Sequence, residues 1–380
     1  MSRGTQPWTD GLAAAGIFLC CFGLVHTWFW AHGQLVDWPT YENYGDLILH
    51  HGLVPYRDFA VEYPPGALPV FVLPALVGSY ASTFAWTMAI CGVATVVMLA
   101  HLRPFAAYYT AFAPVLAGSL ILSRFDLWPA LLVVGALWAL VAERHRLGWA
   151  LLGAAVAAKV WPLVIVPLAL AWSWRRGRAW SALAGLVVVV LVFLPFAVVA
   201  PQGLWRSLEG QASRPLQIES LGGAFLMWLG HPLVVTTHGS QNVSGHGAVG
   251  AALTLVEAVV LVALWVAFAR GRADRDRFLR YVAASVCAFV ALGKVLSPQY
   301  LLWLIPLVPL VRGRRGYAAT AVLTLACVLT QVWFPRRYFD YALQFRLAPV
   351  VVARDVALVA LLAVLAWPLR EVDVDADRVA

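Results

Sequence analysis

The most constraining feature of this sequence is a succession of apolar runs that are long enough, or nearly long enough, to cross a bilayer as helices. A helix needs about 20 apolar residues to span the hydrocarbon core. Only 12% of the residues are charged, about half the share found in soluble domains. The chain is therefore predicted to be an all-α, polytopic membrane protein, with its first run retained as a span. The ten predicted spans are Gly11–Ala31, Tyr80–His101, Ala106–Leu122, Leu127–Val141, Ser181–Ala200, Ala248–Ala269, Phe278–Leu292, Gln299–Val311, Tyr317–Phe334 and Leu347–Leu369.

The basic residues predict the orientation of the chain. A net charge of +8 would suggest nucleic-acid binding in a soluble protein, but these arginines lie in short loops between spans, so no nucleic-acid partner is predicted. With cytoplasmic termini, 17 of the 25 arginines lie inside, as the positive-inside rule requires. One transmembrane domain is predicted over 1–370, with extracytoplasmic loops at 32–69 and 201–247 and an acidic cytoplasmic tail at 371–380.

One segment does not fit a simple count of spans. Leu147–Ser173 has cytoplasmic-type charges at both ends, yet it is too short to cross twice, and AKVWP at Ala158–Pro162 interrupts it. A re-entrant pair of half-helices would explain this pattern, because irregular backbone at membrane depth occurs where it lines a cavity or is buried in protein. One kinked helix with a misassigned neighbour fits the pattern equally well.

The first outer loop holds five of the 19 acidic residues, namely Asp37, Glu42, Asp46, Asp58 and Glu62. After Asp37 and Pro39, apolar residues at helical spacing predict a short amphipathic helix on the membrane surface. Those apolar residues are Tyr41, Tyr44, Leu47 and Ile48.

Asp37 differs from the other acidic residues of this loop because it lies just beyond the first span. A carboxylate there can face a cavity between helices, which makes it a functional candidate. The EYPPGALP segment that closes the loop is predicted to be extended at Tyr63 and Pro64, since each precedes a proline. It would return the chain to the membrane with Asp58 and Glu62 near the same surface.

Eight arginines fall on the predicted outer side and need a reason to be there. Arg354, beside Asp355, and Arg346 are interpreted as ion-paired at the membrane interface. For Arg57, Arg124, Arg336 and Arg337, ion pairing with a neighbour such as Asp58 or Asp126 and contact with an anionic ligand are equally good interpretations. The remaining two are Arg206 and Arg214. The only lysines, Lys159 and Lys294, both lie within apolar segments.

The cysteines and histidines of the sequence do not favour a metal site or a redox site. All five cysteines lie in apolar runs and are interpreted as packing residues. The adjacent His50 and His51 fit no zinc-ligand spacing, so solvated loop histidines are the favoured interpretation. No cofactor is predicted, although a role for a divalent ion is not excluded.

Several motifs occur in an order that resembles bacterial membrane glycosyltransferases of the GT-C superfamily, and glycosyltransferase family 87 most closely. They are VDWPTYENYGD, GLVPYRDFAVEYPPGALPVF, SRFDLWPALL, AAKVWPLVIVPLAL and SPQYLLWLIPL, spread from about Val36 to Pro306. The family includes polyprenol-phosphate-mannose-dependent mannosyltransferases. The resemblance implies a GT-C-like helix bundle and a catalytic base in the first outer loop, a position that Asp37 matches and for which Asp46 competes.

These observations lead to one hypothesis and one alternative. The hypothesis is an inverting glycosyltransferase of the bacterial plasma membrane that moves a hexose, with mannose favoured, from a polyprenyl-phosphate donor to an envelope lipid or glycan on the extracytoplasmic face. The alternative is a transporter or flippase of a lipid-linked saccharide. Besides Asp37, the candidate donor-binding or substrate-binding residues are Arg57, Asp58, Glu62, Tyr63, Arg124, Asp126, Lys159, Lys294, Gln299, Tyr300, Arg336 and Arg337.

Overall fold

A computed structural model describes residues 6–32 and 37–367 of the chain. The predicted acidic tail lies outside the described residues. Six of the described helices are long and apolar enough to cross a membrane, which confirms an all-α, multi-pass membrane protein. The chain divides into two compact units, and the boundary along the sequence lies between Arg214 and Pro215.

The first unit is helical throughout its regular structure. It contains α1 Pro7–His32, α2 Trp38–Leu49, α3 Leu68–Ala75, α4 Tyr80–Leu102, α5 Pro104–Ala111, α6 Ala113–Ala117, α7 Leu120–Ser123, α8 Leu127–Val141, α9 His145–Ala158, α10 Val166–Trp174, α11 Ala182–Val199 and α12 Pro201–Ala212. Single 3-10 turns cover Pro65–Ala67, Trp161–Ile165 and Ala179–Ser181. Helix α4 packs on α1 and α8, and α9 packs between α8 and α11.

The short helix predicted in the first outer loop is confirmed as α2. Pro39 lies in its first turn, where a missing N–H costs nothing. Tyr41 and Tyr44 are buried on one side, as the apolar spacing requires. Tyr63 and Pro64 are outside any helix, as predicted, and helical structure resumes at Pro65.

Residues 145–174 form a helical hairpin, which favours the predicted pair of half-helices over a single kinked helix. Helix α9 ends at Ala158, because Pro162 has no N–H to offer the Ala158 carbonyl and Lys159 is extended. The chain then returns through the 3-10 turn and α10. At the open end of the hairpin, Ser173 Oγ lies 3.1 Å from His145 Nδ1 and accepts a 3.1 Å hydrogen bond from Trp149 Nε1. Lys159 is therefore at the tip.

The predicted span Ala106–Leu122 is wrong as a continuous helix. Three short helices, α5 to α7, cover this stretch instead. Pro114 lacks the N–H that would continue the first of them, and Gly118 has a positive φ of 58° that ends the second. Hydropathy alone does not register either break.

The second unit contains seven helices and one small hairpin of strands. They are α13 Leu221–Leu229, β1 Val234–Thr237, β2 Ser240–Val243, α14 Gly247–Arg270, α15 Arg275–Leu292, α16 Leu301–Leu307, α17 Gly313–Trp333, α18 Tyr338–Ala342 and α19 Ala348–Ala366, with 3-10 turns at Pro298–Tyr300 and Val308–Leu310. The strands pair antiparallel, with Val234 opposite Val243. Helix α15 is buried along most of its length against α14, α16 and α19.

The two arginines interpreted as interfacial ion pairs behave differently from that prediction. Arg354 does pair with Asp355, at 2.7 Å, but both side chains are fully buried in the second unit instead of lying at an interface. Arg354 also donates a 2.8 Å hydrogen bond to the Glu219 carbonyl, which anchors the chain before α13. Arg346 is exposed and has no carboxylate within ion-pair distance among residues 6–32 and 37–367.

Candidate active site

Asp37 directly precedes α2, at its N-cap position, and its carboxylate forms an ion pair with Arg124. Its backbone is left-handed (φ 75°), a conformation that aspartate tolerates better than most residues. Its Oδ2 contacts Nη1 of Arg124, which precedes α8. The Asp37 side chain remains 35% exposed, whereas that of Arg124 is only 14% exposed. The carboxylate is thus fixed from one side and accessible from another.

A second ion pair forms close to the first. Lys159 Nζ, at the tip of the hairpin, donates a 2.7 Å hydrogen bond to Asp126 Oδ1. The Asp126 side chain is 1% exposed and that of Lys159 is 14% exposed. Pairing of Arg124 with Asp126 is one of the two interpretations that the sequence allows; in the structure Arg124 pairs with Asp37 and Asp126 pairs with Lys159, each a partner from a distant part of the chain.

Arg124 and Arg214 both lie within electrostatic range of Lys159. Three cationic side chains and the two carboxylates Asp37 and Asp126 thus make up one cluster, which we call the charge cluster. Its formal charge is +1. Such a group can bind an anion through its cations and can also offer an oxygen base.

Aromatic rings pack against the Lys159 side of the charge cluster. The ammonium group of Lys159 lies 4.5 Å from the Phe125 ring centroid and 5.9 Å from that of Tyr63. Both rings pack against Tyr41 and Phe71. Burial raises the pKa of the Tyr63 phenol, against the lowering effect of its hydrogen bond with Tyr41, and the Glu62 and Asp126 carboxylates raise it further. Tyr63 is therefore a neutral phenol beside the cluster.

Gly66 fixes the EYPPG segment against the tip of the hairpin. A Cβ at this position would lie 2.5 Å from the Ala157 carbonyl carbon and 2.7 Å from the Ala158 nitrogen, both backbone atoms. The Gly66 carbonyl accepts a 3.1 Å hydrogen bond from Trp128 Nε1, on the first turn of α8. One glycine thus sets the spacing between the elements that carry Tyr63, Asp126 and Lys159.

We expect Gly66→Ala to displace the hairpin tip and to destabilise the protein by about 1–3 kcal/mol, the usual cost of overpacking. The backbone atoms it meets cannot move aside as a side chain would. Thermal unfolding in detergent measures this effect. Gly78→Ala is the matched control, since a Cβ there meets nothing within 4 Å; an equal loss in both variants would contradict the role given to Gly66.

Arg57 and Asp58 pair with each other instead of joining the charge cluster. Arg57 Nε and Nη2 each donate a 2.9 Å hydrogen bond to the Asp58 carboxylate, which also accepts one of 2.7 Å from the Val54 N–H. The Arg57 hydrogen bonds and that of the Val54 N–H lower the pKa of Asp58 to about 2. Of the two interpretations of Arg57, the structure favours ion pairing. Glu62 is exposed, and its carbonyl accepts a 2.9 Å hydrogen bond from Gln211.

Asp46, the competitor of Asp37, pairs with histidines. One carboxylate oxygen lies 2.8 Å from His50 Nδ1 and the other lies 3.3 Å from His51 Nε2. All three side chains are about half exposed or more. Among residues 6–32 and 37–367, the ion-pair partners of Asp46 are therefore imidazoles and not the arginine or lysine groups that would bind a phosphate.

The other candidate residues belong to the second unit. Arg337 pairs with Asp340 at 3.1 Å, and Arg336 is exposed. Tyr300 stacks on Trp303 with ring centroids 4.0 Å apart, and Gln299 accepts a hydrogen bond from Ser297. Lys294 lies within electrostatic range of Glu257 on α14.

Two further charged residues were not predicted as site residues from the sequence. Arg214, in range of Lys159, is one of the eight outer arginines, and this excess of outer arginines was the available signal. Glu257 is the only acidic residue within α14, and an acidic group in a span could have been singled out on that ground alone.

Comparisons with known proteins identify the family and a similar fold. The sequence profile of glycosyltransferase family 87 matches residues 61–298, more than half of the 380-residue chain. The crystal structure of ArnT from Cupriavidus metallidurans bound to undecaprenyl phosphate has a similar fold, with a TM-score of 0.50 and 14% sequence identity over 93% of this chain and 76% of that one. No curated protein sequence matches the chain. The chain belongs to glycosyltransferase family 87.

Proposed function

We propose that this glycosyltransferase moves a hexose, with mannose favoured, from a polyprenyl-phosphate donor to an envelope lipid or glycan, with inversion at the sugar carbon. The observation that carries the proposal is the charge cluster, in which an accessible carboxylate lies beside a group of partly buried cations. The similarity to ArnT, a protein crystallised with undecaprenyl phosphate, supports a lipid-linked donor.

Each part of the cluster has a role in this proposal. The acceptor hydroxyl attacks the anomeric carbon while Asp37 takes its proton. The bond from that carbon to the phosphate oxygen breaks, and the electron pair leaves with the phosphate. Lys159, Arg124 and Arg214 stabilise the charge that develops on the departing phosphate. Attack from the face opposite the phosphate inverts the configuration.

Asp37 is proposed as the base in preference to Asp46. Arg124 holds the Asp37 carboxylate at the edge of the cationic group, so the base and the leaving-group site are within one cluster. The Asp46 carboxylate instead pairs with the imidazoles of His50 and His51. The exposed third of the Asp37 side chain leaves room for an acceptor hydroxyl.

The proposed site lies on the extracytoplasmic face of a bacterial plasma membrane. Asp126 and Lys159 occupy one end of the bundle formed by α8, α9 and α10. At the other end, Glu143 pairs with Arg176 and His145. The arginine-rich loops that the positive-inside rule predicts for the cytoplasm lie at that other end, which supports placing the charge cluster outside.

The remaining candidate residues keep a proposed role in binding the donor or acceptor. In the first unit they are Asp58, Glu62, Tyr63 and Arg57. In the second they are Lys294, Gln299, Tyr300, Arg336 and Arg337.

The test is transfer by the purified protein in liposomes. Radiolabelled polyprenyl-phosphate mannose, polyprenyl-phosphate glucose and the corresponding nucleotide sugars are each offered with envelope lipid extract. We expect label to reach the extract only from a polyprenyl-phosphate donor, because the cluster offers cations for a single phosphate beside the membrane. Transfer from nucleotide sugars alone would overturn the proposal. Movement of the donor between leaflets without transfer would establish the transporter alternative.

A further inference from the structure

The end of the helical hairpin opposite Lys159 contains a second basic site, which the proposed reaction does not use. A cavity of about 650 Å³ opens there. It is lined by the loop before α9 and by the loop that joins α10 to α11, and both loops belong to the first unit. Its lining residues are Glu143, Arg144, His145, Arg146, Leu147, Gly177, Arg178, Trp180 and Ser181.

The charge of this cavity is strongly positive. Arg144, Arg146 and Arg178 are exposed, and no carboxylate lies within ion-pair distance of any of them in the part of the chain that the structure describes. The one acidic lining residue, Glu143, is held by Arg176 at 2.9 Å and by His145 at 2.8 Å. Three guanidinium groups therefore remain to attract an anion.

The Glu143 carboxylate stays charged and remains paired with Arg176 and His145. Burial would raise its pKa, but the hydrogen bonds from His145 and Arg176 and the charge of Arg176 outweigh that effect and lower it. The buried His145 ring is also committed, with its second nitrogen 3.1 Å from Ser173 Oγ. Neither residue therefore competes with a ligand for the three arginines.

Two helices begin at the cavity and add to its attraction for anions. Helix α9 starts at His145 and α11 starts at Ala182, directly after the lining residue Ser181. Neither helix has a side chain that caps its first turn. The positive ends of both helix dipoles thus reinforce the arginines.

The surroundings of the cavity favour a lipid over a soluble anion. Trp180 lines the cavity and is 82% exposed, as expected of a tryptophan at headgroup level. Helix α11 leads away from the cavity with exposed apolar side chains along its length, among them Leu183, Leu186 and Leu194. In a ligand with a phosphate headgroup and acyl chains, the phosphate would contact the arginines of the cavity and the acyl chains would cover the exposed apolar side chains of α11.

We propose that the cavity between the α9 loop and the α10–α11 loop binds the phosphate headgroup of an anionic phospholipid, with Arg144, Arg146 and Arg178 as its ligands. The acyl chains lie along α11. The site is independent of the charge cluster, because it occupies the other end of the hairpin and shares no residue with it.

The test measures lipid retention by the full-length protein in detergent. Native mass spectrometry compares phosphatidylglycerol with phosphatidylcholine, whose headgroup is neutral overall. We expect one phosphatidylglycerol to bind more tightly than phosphatidylcholine. A cationic side chain near an anionic lipid surface contributes roughly 1 kcal/mol, so each arginine lost should weaken binding about fivefold and the variant R144Q/R146Q/R178Q about 100-fold.

A matched control tests whether the loss of lipid binding comes from these three arginines or from a lower net charge. The variant R270Q/R272Q/R314Q removes the same charge from exposed arginines of the second unit. It should retain the lipid, and the single variant Arg178→Gln should show the fivefold loss even if the triple variant folds poorly. Equal loss in the control, or equal retention of the two lipids, would overturn the proposal. Displacement by inorganic phosphate, but not by chloride at equal ionic strength, would assign the cavity to a soluble anion instead.

Discussion

Asp37→Asn is expected to lower the rate of sugar transfer by about 10²- to 10⁴-fold, the range that a general base contributes. The amide keeps the size of the carboxylate and can still accept a hydrogen bond from Arg124, but it cannot take the proton of the acceptor hydroxyl. Single-turnover transfer from a preloaded polyprenyl-phosphate donor measures this step directly. Donor retention should change little, because the three cations of the charge cluster remain.

Asp46→Asn is the matched control for this variant, since both changes remove one carboxylate from the same loop. Asp46 pairs with His50 and His51 and is not part of the charge cluster. The transfer rate of Asp46→Asn should therefore equal that of the wild type within the scatter between protein preparations. The reverse result, with transfer lost in Asp46→Asn and kept in Asp37→Asn, would move the base to Asp46. Thermal unfolding of both variants excludes a trivial loss of fold.

Lys159→Met should produce the second large effect, on stability and on transfer together. Asp126 is 1% exposed and loses the ammonium group that lies 2.7 Å away. Removing one partner from a buried ion pair costs about 3–5 kcal/mol, because the other charge stays buried. The departing phosphate also loses a charge-assisted hydrogen bond worth about 1.5–3 kcal/mol, so kcat/KM should fall by roughly 10- to 200-fold.

The double variant K159M/D126N separates these two effects. Neutralising Asp126 as well removes the buried charge, so most of the stability should return. Transfer should stay low, because the cation near the phosphate is still missing. Recovery of both would show that Lys159 is structural only. Arg206→Gln serves as the control for charge, since it removes one exposed cation whose Nε donates only to a backbone carbonyl.

The local features of the fold could be predicted from the sequence because they depend on neighbouring residues. The spacing of Tyr41 and Tyr44 predicted α2, and the prolines of EYPP predicted the break at Tyr63. The interruption at AKVWP predicted a break at this point, since Pro162 prevents α9 from continuing, but it left a hairpin and a kinked helix equally open. Ala106–Leu122 was predicted wrongly as one helix, because a hydropathy average does not weigh the effects of Pro114 and Gly118.

The candidate site was predicted less completely. Asp37, Arg124, Asp126 and Lys159 were all selected, and the structure brings them into one cluster. The pairs that they form were not predicted, because the sequence left Arg124 open between an ion pair with the nearby Asp126 and contact with an anionic ligand. Arg57, selected on the same grounds as Arg124, pairs with its neighbour Asp58.

The amino-acid sequence was sufficient to predict that lipid surrounds this chain, that Pro64 and Pro162 break helical structure, and which few charges are unusual for their position. These properties follow from the local free energy of placing a backbone or a side chain in lipid or water. The folded structure was needed to show that Asp37 meets Arg124, that Lys159 meets Asp126, 33 residues away in the chain, and that Arg354 is buried with Asp355. Such pairings depend on how distant helices pack, and many packings are compatible with the same pattern of hydropathy.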